Sequence, residues 1–420
     1  MESELTTTKE GILGRIERLS RFESPSVSDW VIYFSVFIII QFPAIYNFYH
    51  NHGADNPYIL FADALLKGHL TLPSTVNPSD LVFFNNHFYL PYPPLPSVLL
   101  LPFVALFGAA HVNTVAIATI MACISLYLMY AILFRLQIAK EYIGWTMAGV
   151  FFGTGYWFAV ITSHHVYAFA QITAFLFALL VLNELLGRKR WWLVGMYIGC
   201  AFLSRQLTIF YILFALGFMY YDYNRDKQSV TFRNFLALCS ATGIFVLIYM
   251  VYNFVRFGNP LDTGYDHIVY IGILKDRVEQ YGVFSWRYVL FNLYSVLIKG
   301  FNIEFDGNTY LNIRDMDLWG TSLLSASPFL IASFKASWPK ILKIFAWLTI
   351  VAILIGQLFY HNNGYHQINA MRFALDFLPI IVVLMALGSK FVPGWLFKSL
   401  VAYSIVLNLV SFIIHFLYQN

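Results

Sequence analysis

Charge is the scarcest ingredient of this 420-residue chain, with Asp, Glu, Lys and Arg together making up 11% of it. A soluble domain carries about 25%, so an ordinary water-soluble globule is excluded. Cysteine is sparse too. Cys123, Cys200 and Cys239 sit far apart inside apolar runs, which excludes a disulfide framework or a thiolate metal site. No basic stripe and no glycine-rich phosphate loop are present, so nucleic-acid binding finds no support. The start of the chain does not read as a signal peptide. Its charged region and the apolar run after it are both too long, and no small-residue cleavage site stands out.

What is there instead is apolar: 59% of residues are hydrophobic, with a mean hydropathy of +0.65. A membrane span needs about 20 apolar residues. About eleven segments qualify: 30–49, 112–134, 142–162, 166–186, 191–204, 206–221, 234–255, 321–334, 341–360, 369–389 and 394–417. The fold class expected is an all-α polytopic membrane protein. Residues 1–29 read as a cytoplasmic amphipathic N-terminus, with Ile12, Leu13, Ile16, Leu19 and Phe22 at helical spacing. Residues 30–420 read as one transmembrane domain.

The basic residues orient it. Lys9, Arg15, Arg18 and Arg21 precede the first span, and the run Arg188-Lys189-Arg190, with Arg225, Lys227 and Arg233, falls on the same side. That side is cytoplasmic by the positive-inside rule. It holds no Asp-x-Asp-like pair, so nucleotide-sugar use has no support either. Two long loops, about 50–111 and 256–320, then lie outside, with a shorter segment at 361–372. They collect many carboxylates and histidines, including Asp55, Asp63, Asp80, Asp262, Asp266, His69, His267, His361 and His366. Function is expected on that extracytoplasmic face of the plasma (inner) membrane.

The run Ala62-Asp63-Ala64-Leu65-Leu66-Lys67-Gly68-His69-Leu70 and the segment Tyr89-Leu90-Pro91-Tyr92-Pro93-Pro94 follow Asp55 in the first external loop. Further on come Gly199-Cys200-Ala201-Phe202-Leu203-Ser204-Arg205, then Arg256-Phe257-Gly258-Asn259-Pro260 with Gly264-Tyr265. Ser327-Pro328 and Met371-Arg372-Phe373 follow. As an ordered set this resembles the bacterial GT-C glycosyltransferases, membrane enzymes that use polyprenyl-phosphate-linked sugars. The resemblance implies amphipathic juxtamembrane helices in the long first loop and an inverting transfer to an acceptor hydroxyl. It also implies a lipid, glycan or protein acceptor among the partners, with membrane lipids around. No cofactor is implied, because the polyprenyl-phosphate sugar is a co-substrate.

By the same resemblance Asp55 is the catalytic general base. Its bland alternative is to cap the helix that starts near Pro57. Asp63 competes for the role but suits a solvated helix face. Leaving-group phosphate calls for arginine, whose planar fork grips two oxygens. Arg372, Arg256 and Arg205, at outer ends of spans, are the substrate-binding candidates. Arg372 and Asp376, four apart, alternatively pair with each other. His164 and His165 at an outer turn, Tyr265 and Asp266 in the second loop, and Tyr92 and Lys67 in the first complete the candidate set. No paired histidine spacing points to a metal, and His164 and His165 are expected on different helix faces. The rival reading is a transporter or flippase of lipid-linked sugars, which is expected to bury charges mid-span and to show inverted repeats. The span interiors carry almost no charge, and no repeat is visible.

Overall fold

The computed structural model describes residues 27–51, 56–73, 81–227, 230–365 and 367–418. The expected amphipathic N-terminal helix, Asp55, Asp80 and His366 lie outside them. Two units are distinguished, residues 1–43 and 44–420. The described part of the first belongs to helix α1 (Val27–Asn51), where the Trp30 ring stacks on Phe34 at 5.3 Å.

The second unit is almost wholly helical. A short helix α2 (Pro57–Leu66) is followed by a hairpin of β1 (Val82–Phe84) and β2 (His87–Tyr89), then helix α3 (Leu95–Phe107). The hairpin turns at Asn85-Asn86. Both residues have positive φ, 49° and 61°, the geometry of the tight turns that match strand twist. Helices α4 (Thr114–Arg135), α5 (Lys140–Phe152), α6 (Gly155–Ile161), α7 (Val166–Leu185) and α8 (Trp191–Phe202) come next. They lead through a 3-10 turn at Gln206–Phe210 into α9 (Tyr211–Arg225) and α10 (Phe232–Phe257). The second loop holds α11 (Gly272–Tyr281), α12 (Val289–Leu297) and a hairpin of β3 (Ile303–Asp306) and β4 (Asn312–Met316). Then β5 (Trp319–Thr321) pairs in parallel with β6 (Gln367–Ala370). Helices α13 (Leu323–Ala326), α14 (Lys340–Leu358), α15 (Leu378–Ser389) and α16 (Gly394–Tyr418) complete the chain.

Among the described residues, five helices are long and apolar enough to cross a membrane: α4, α7, α10, α14 and α16. Several expected spans are built differently. The segment 142–162 breaks into α5 and α6 at Gly153-Thr154, where the Thr154 hydroxyl caps α6 by accepting from the Tyr156 N–H. A side chain at Gly155 would meet the Ala370 carbonyl 2.9 Å away, so the break lets β6 approach. The carbonyls it frees find donors: Ser327 Oγ reaches Gly153 O at 2.6 Å, and the Asn408 amide reaches Phe152 O and Thr154 O. Apolar surroundings tolerate a broken helix only when its polar groups are satisfied in this way.

The segment 321–334 is not a continuous α-helix either. Pro328 stops α13, and Pro328–Lys335 winds as a 3-10 helix that packs against α15, where Gly388 lies against the Ala332 carbonyl. Residues 369–389 begin as strand and 3-10 turn (Arg372–Asp376) before α15 starts at Leu378.

The strongest pairing of helices is α8 with α10. Gly195 and Gly199, four apart on one face of α8, sit against Leu238 and Phe245 of α10 so tightly that any Cβ would collide. Small residues at this spacing let helix backbones touch, which is how helices associate where lipid gives no hydrophobic drive. The Thr242 hydroxyl donates to Gly195 O across the same seam. The seam ends at the turn that carries Arg205.

Candidate active site

The first loop is attached to the helices at several points. Asn56 is almost fully buried. Its side-chain oxygen accepts from the Tyr58 N–H as the N-cap of α2, with Pro57 in the first turn. The cap that the sequence offered to Asp55 is therefore made by its neighbour. The Asn56 amide nitrogen donates to Ser163 O (3.3 Å) and His164 O (2.8 Å), tying α2 to the turn between α6 and α7. Beyond the hairpin, Leu90 O accepts from Arg256 Nη1 at 2.6 Å, and the Leu95 N–H donates to Leu203 O.

Behind this loop lies a cavity of about 260 Å³. Its walls are Tyr92 from the first loop, Tyr167 from α7, Tyr265 and Phe284 from the second loop, and Tyr360 and Tyr365 beyond α14. Two guanidinium groups line it, Arg205 from the α8 turn and Arg372 from the 3-10 turn before α15. They are held alike. Arg205 donates Nε and Nη2 to the two oxygens of Asp376 at 3.0 and 2.9 Å. Arg372 donates Nε to Gly364 O (3.1 Å) and Nη2 to Tyr365 O (3.0 Å). Among the described residues, Nη1 of Arg372 is buried without an acceptor and Nη1 of Arg205 forms no hydrogen bond.

Each arginine also faces a ring: Arg372 lies 4.0 Å from the Tyr167 centroid and Arg205 4.9 Å from that of Phe373. Arg372 is also 5.0 Å from the Phe373 centroid, so the two like charges flank one ring. Asp376 neutralises only one of them, since its oxygens are occupied by Arg205 and by Gln357 Nε2 at 3.1 Å. Among the described residues the cavity thus carries one cation more than its carboxylates balance, between aromatic walls. A fixed cation in such a place stabilises a group of developing negative charge.

Support for Arg372 comes from a loop folded around it. Asn362 Oδ1 accepts from the Gly364 and Tyr365 N–H groups, and Gly364 takes φ +99°, which a side chain would resist. The carbonyls of that turn receive the guanidinium. Gln367 Oε1 accepts the Arg372 N–H at 2.8 Å. Beside it, burial pushes the His361 imidazole down to about 4, with Arg277 opposing its protonation further.

Of the residues singled out from sequence, Arg205, Arg372, Tyr92 and Tyr265 meet in this cavity. The others are elsewhere. Arg256 is buried, but Nε, Nη1 and Nη2 go to Tyr252 O, Leu90 O and Asn253 Oδ1, and its plane lies 3.7 Å from the Tyr252 ring. It fastens the first loop to the end of α10. Lys67 is exposed and paired with Asp63 at 2.6 Å, so both sit on the solvated face of α2. Asp266 is exposed in the second loop. His164 and His165 do not occupy opposite helix faces; in a turn their rings come within 4.1 Å of each other. His165 stacks on Tyr167, a residue of the cavity wall, at 5.2 Å and 11°. The expected pairing of Arg372 with Asp376 does not form, because these residues lie on a 3-10 turn and Asp376 faces Arg205. The hairpin of β3 and β4 packs on α16 through an Asp315–His415 pair at 3.0 Å. Asp55 lies outside the described residues.

Sequence reasoning missed Gln206, Gln357, Tyr360 and Tyr365. A buried glutamine in an apolar run is a signal that was there to be read. Gln357 follows Ile353, Leu354 and Ile355 in α14, and only a buried partner justifies its place.

A mainly helical polytopic membrane fold with a cationic aromatic cavity beside its first loop is what these elements define. Among solved structures the chain is similar to ArnT from Cupriavidus metallidurans bound to undecaprenyl phosphate, with a TM-score of 0.51 at 12% identity. Similarity to the apo state of the same protein is equivalent, with a TM-score of 0.50 at 11% identity. The match covers 88% of this chain but 62% of that one. No protein-family model and no curated protein sequence matches the chain.

Proposed function

We propose that this chain is an inverting glycosyltransferase. It moves a hexosyl or pentosyl group from a polyprenyl-phosphate-linked donor to an acceptor hydroxyl on the extracytoplasmic membrane face. The observation that carries the reading is the pair Arg205 and Arg372. Both are anchored through Nε and Nη2, and in both Nη1 finds no acceptor among the described residues, in a cavity walled by tyrosines. A lipid phosphate supplies the acceptors such nitrogens need, and tyrosine faces suit a pyranose ring.

In this reading the acceptor oxygen bonds to the anomeric carbon while the carbon–phosphate oxygen bond breaks. Asp55 takes the hydroxyl proton, the phosphate leaves with the bonding electrons, and the two arginines stabilise its charge. The acceptor is the hydroxyl of a lipid, glycan or protein. Asp55 carries the base assignment by its resemblance to the family pattern, with Asn56 fixing the start of α2 next to it in sequence.

The test is release of free polyprenyl phosphate by the purified chain in lipid. A panel of polyprenyl-phosphate sugars serves as donors and crude membrane lipid as acceptor. Activity with one donor should fall about 10²–10⁴-fold in Asp55→Asn, the usual contribution of a general base. Release that survives this substitution would remove Asp55 from the chemistry. Release from no donor by a folded chain, with acceptor lipid present, would sink the transferase reading.

A further inference from the structure

Helices α7, α9 and α10 each have one end near the arginine cavity. Their other ends border a second, larger cleft of about 860 Å³. With 20 residues in α7, the two sites lie about 30 Å apart, the thickness of a bilayer core. The second cleft is strongly basic. Five cationic side chains line it against two carboxylates, Asp222 and Asp226. Lys189 is held by Asp222 at 2.6 Å and Arg190 by Glu184 at 2.8 Å, so those charges are largely answered within the protein. Arg188, Arg225 and Arg233 are exposed, and no ion pair joins them to a carboxylate among the described residues.

Two more features act in the same sense. Helices α8 and α10 both begin at this cleft, and neither N-cap residue, Arg190 nor Thr231, places a side chain on the free N–H groups. Their positive ends add to the arginine field. The rim is apolar: Trp192 is 54% exposed and Phe232 72%, with Leu236 exposed one turn further along α10. Tryptophan beside arginine at the end of membrane helices is the signature of the headgroup layer. A soluble anion has no use for that rim, whereas an acyl chain lies along it.

We propose that this cleft is a binding site for the phosphate headgroup of an anionic membrane lipid, in the leaflet opposite the one bordering the arginine cavity. Arg188, Arg225 and Arg233 take the phosphate, and Trp192 and Phe232 take the first carbons of the acyl chains. The proposal stands independently of the transferase reading, since it uses none of the cavity residues.

The experiment is native mass spectrometry of the full chain released from micelles doped with equal phosphatidylglycerol and phosphatidylcholine. Wild type should retain phosphatidylglycerol preferentially. Each arginine near such a surface contributes about fivefold, so Arg188→Gln/Arg225→Gln/Arg233→Gln should weaken retention on the order of a hundredfold. Lysine at the three positions should restore most of it. If the triple glutamine variant fails to fold, Arg225→Gln alone should show the fivefold loss. Equal retention by wild type and the glutamine variants would overturn the proposal. So would displacement of the lipid by millimolar inorganic phosphate, which would assign the cleft to a soluble anion.

Discussion

Arg205 and Asp376 face each other across 171 positions of sequence with two parallel hydrogen bonds, and the carboxylate side chain is 1% exposed. A buried pair of this kind joins the α8 turn to the turn before α15, and removing one partner strands the other's charge. Asp376→Asn should therefore destabilise the protein by about 3 kcal/mol or more. Thermal unfolding in detergent reads this directly. The double variant Arg205→Met/Asp376→Leu should recover much of the loss, and strict additivity of the two single changes would refute the coupling.

Arg372 has two nitrogens anchored and a third without an acceptor among the described residues, a geometry a lysine cannot copy. Arg372→Lys should keep the melting temperature closer to wild type than Arg372→Gln does. Both should lower donor turnover by about 10²-fold, the cost of losing one donor aimed at developing charge. A lysine variant with near-wild-type turnover would mean that charge alone suffices.

Asn56 makes a helix cap and two bonds to buried carbonyls. Asn56→Ala should cost about 1 kcal/mol for the cap, and more for the carbonyls left unsatisfied. Hydrogen exchange should rise first across Pro57–Leu66 and around Ser163–His165. Faster exchange spread evenly over the chain would argue against a local anchor.

The neutral His361 imidazole makes stability depend on pH. Folded, it is held at about 4, below its ordinary 6.5, mainly by burial. The unfolded chain accepts the proton first as pH falls, so its contribution is complete above pH 6.5 and is lost as pH drops toward 4. The loss amounts to about 3 kcal/mol. His361→Asn should flatten the fall in melting temperature between pH 6.5 and 4; an unchanged slope would show that another group titrates there.

How much of this was legible in sequence depends on what each residue answers to. The helical class followed from hydropathy alone. Gly195 and Gly199 sit four apart in an apolar run, so the tight α8–α10 seam was open to inference. The turn at Asn85-Asn86 carried a hairpin signal that the surrounding prolines and aromatics obscured. The breaks at Gly153-Thr154 and before Leu378 were harder, because mean hydropathy stays high through them. They exist to let β6 come close, a requirement set by residues more than 200 positions away. For the same reason Arg372 and Asp376 looked like a helical pair; the partner that Asp376 has lies on the turn after α8. Arg256 had the right position for a phosphate ligand, but its nitrogens answer to Leu90, Tyr252 and Asn253, contacts no local pattern announces.

The first loop is fastened to four separate parts of the molecule. Asn56 holds the turn at Ser163 and His164, the Val269 N–H donates to Leu81 O at 2.9 Å, Arg256 grips Leu90 O, and Leu95 is bonded to Leu203. Tyr92 lies between two of these anchors, Leu90 and Leu95, so its place in the cavity wall is set by hydrogen bonds to Arg256 and Leu203, residues more than 100 positions away in sequence.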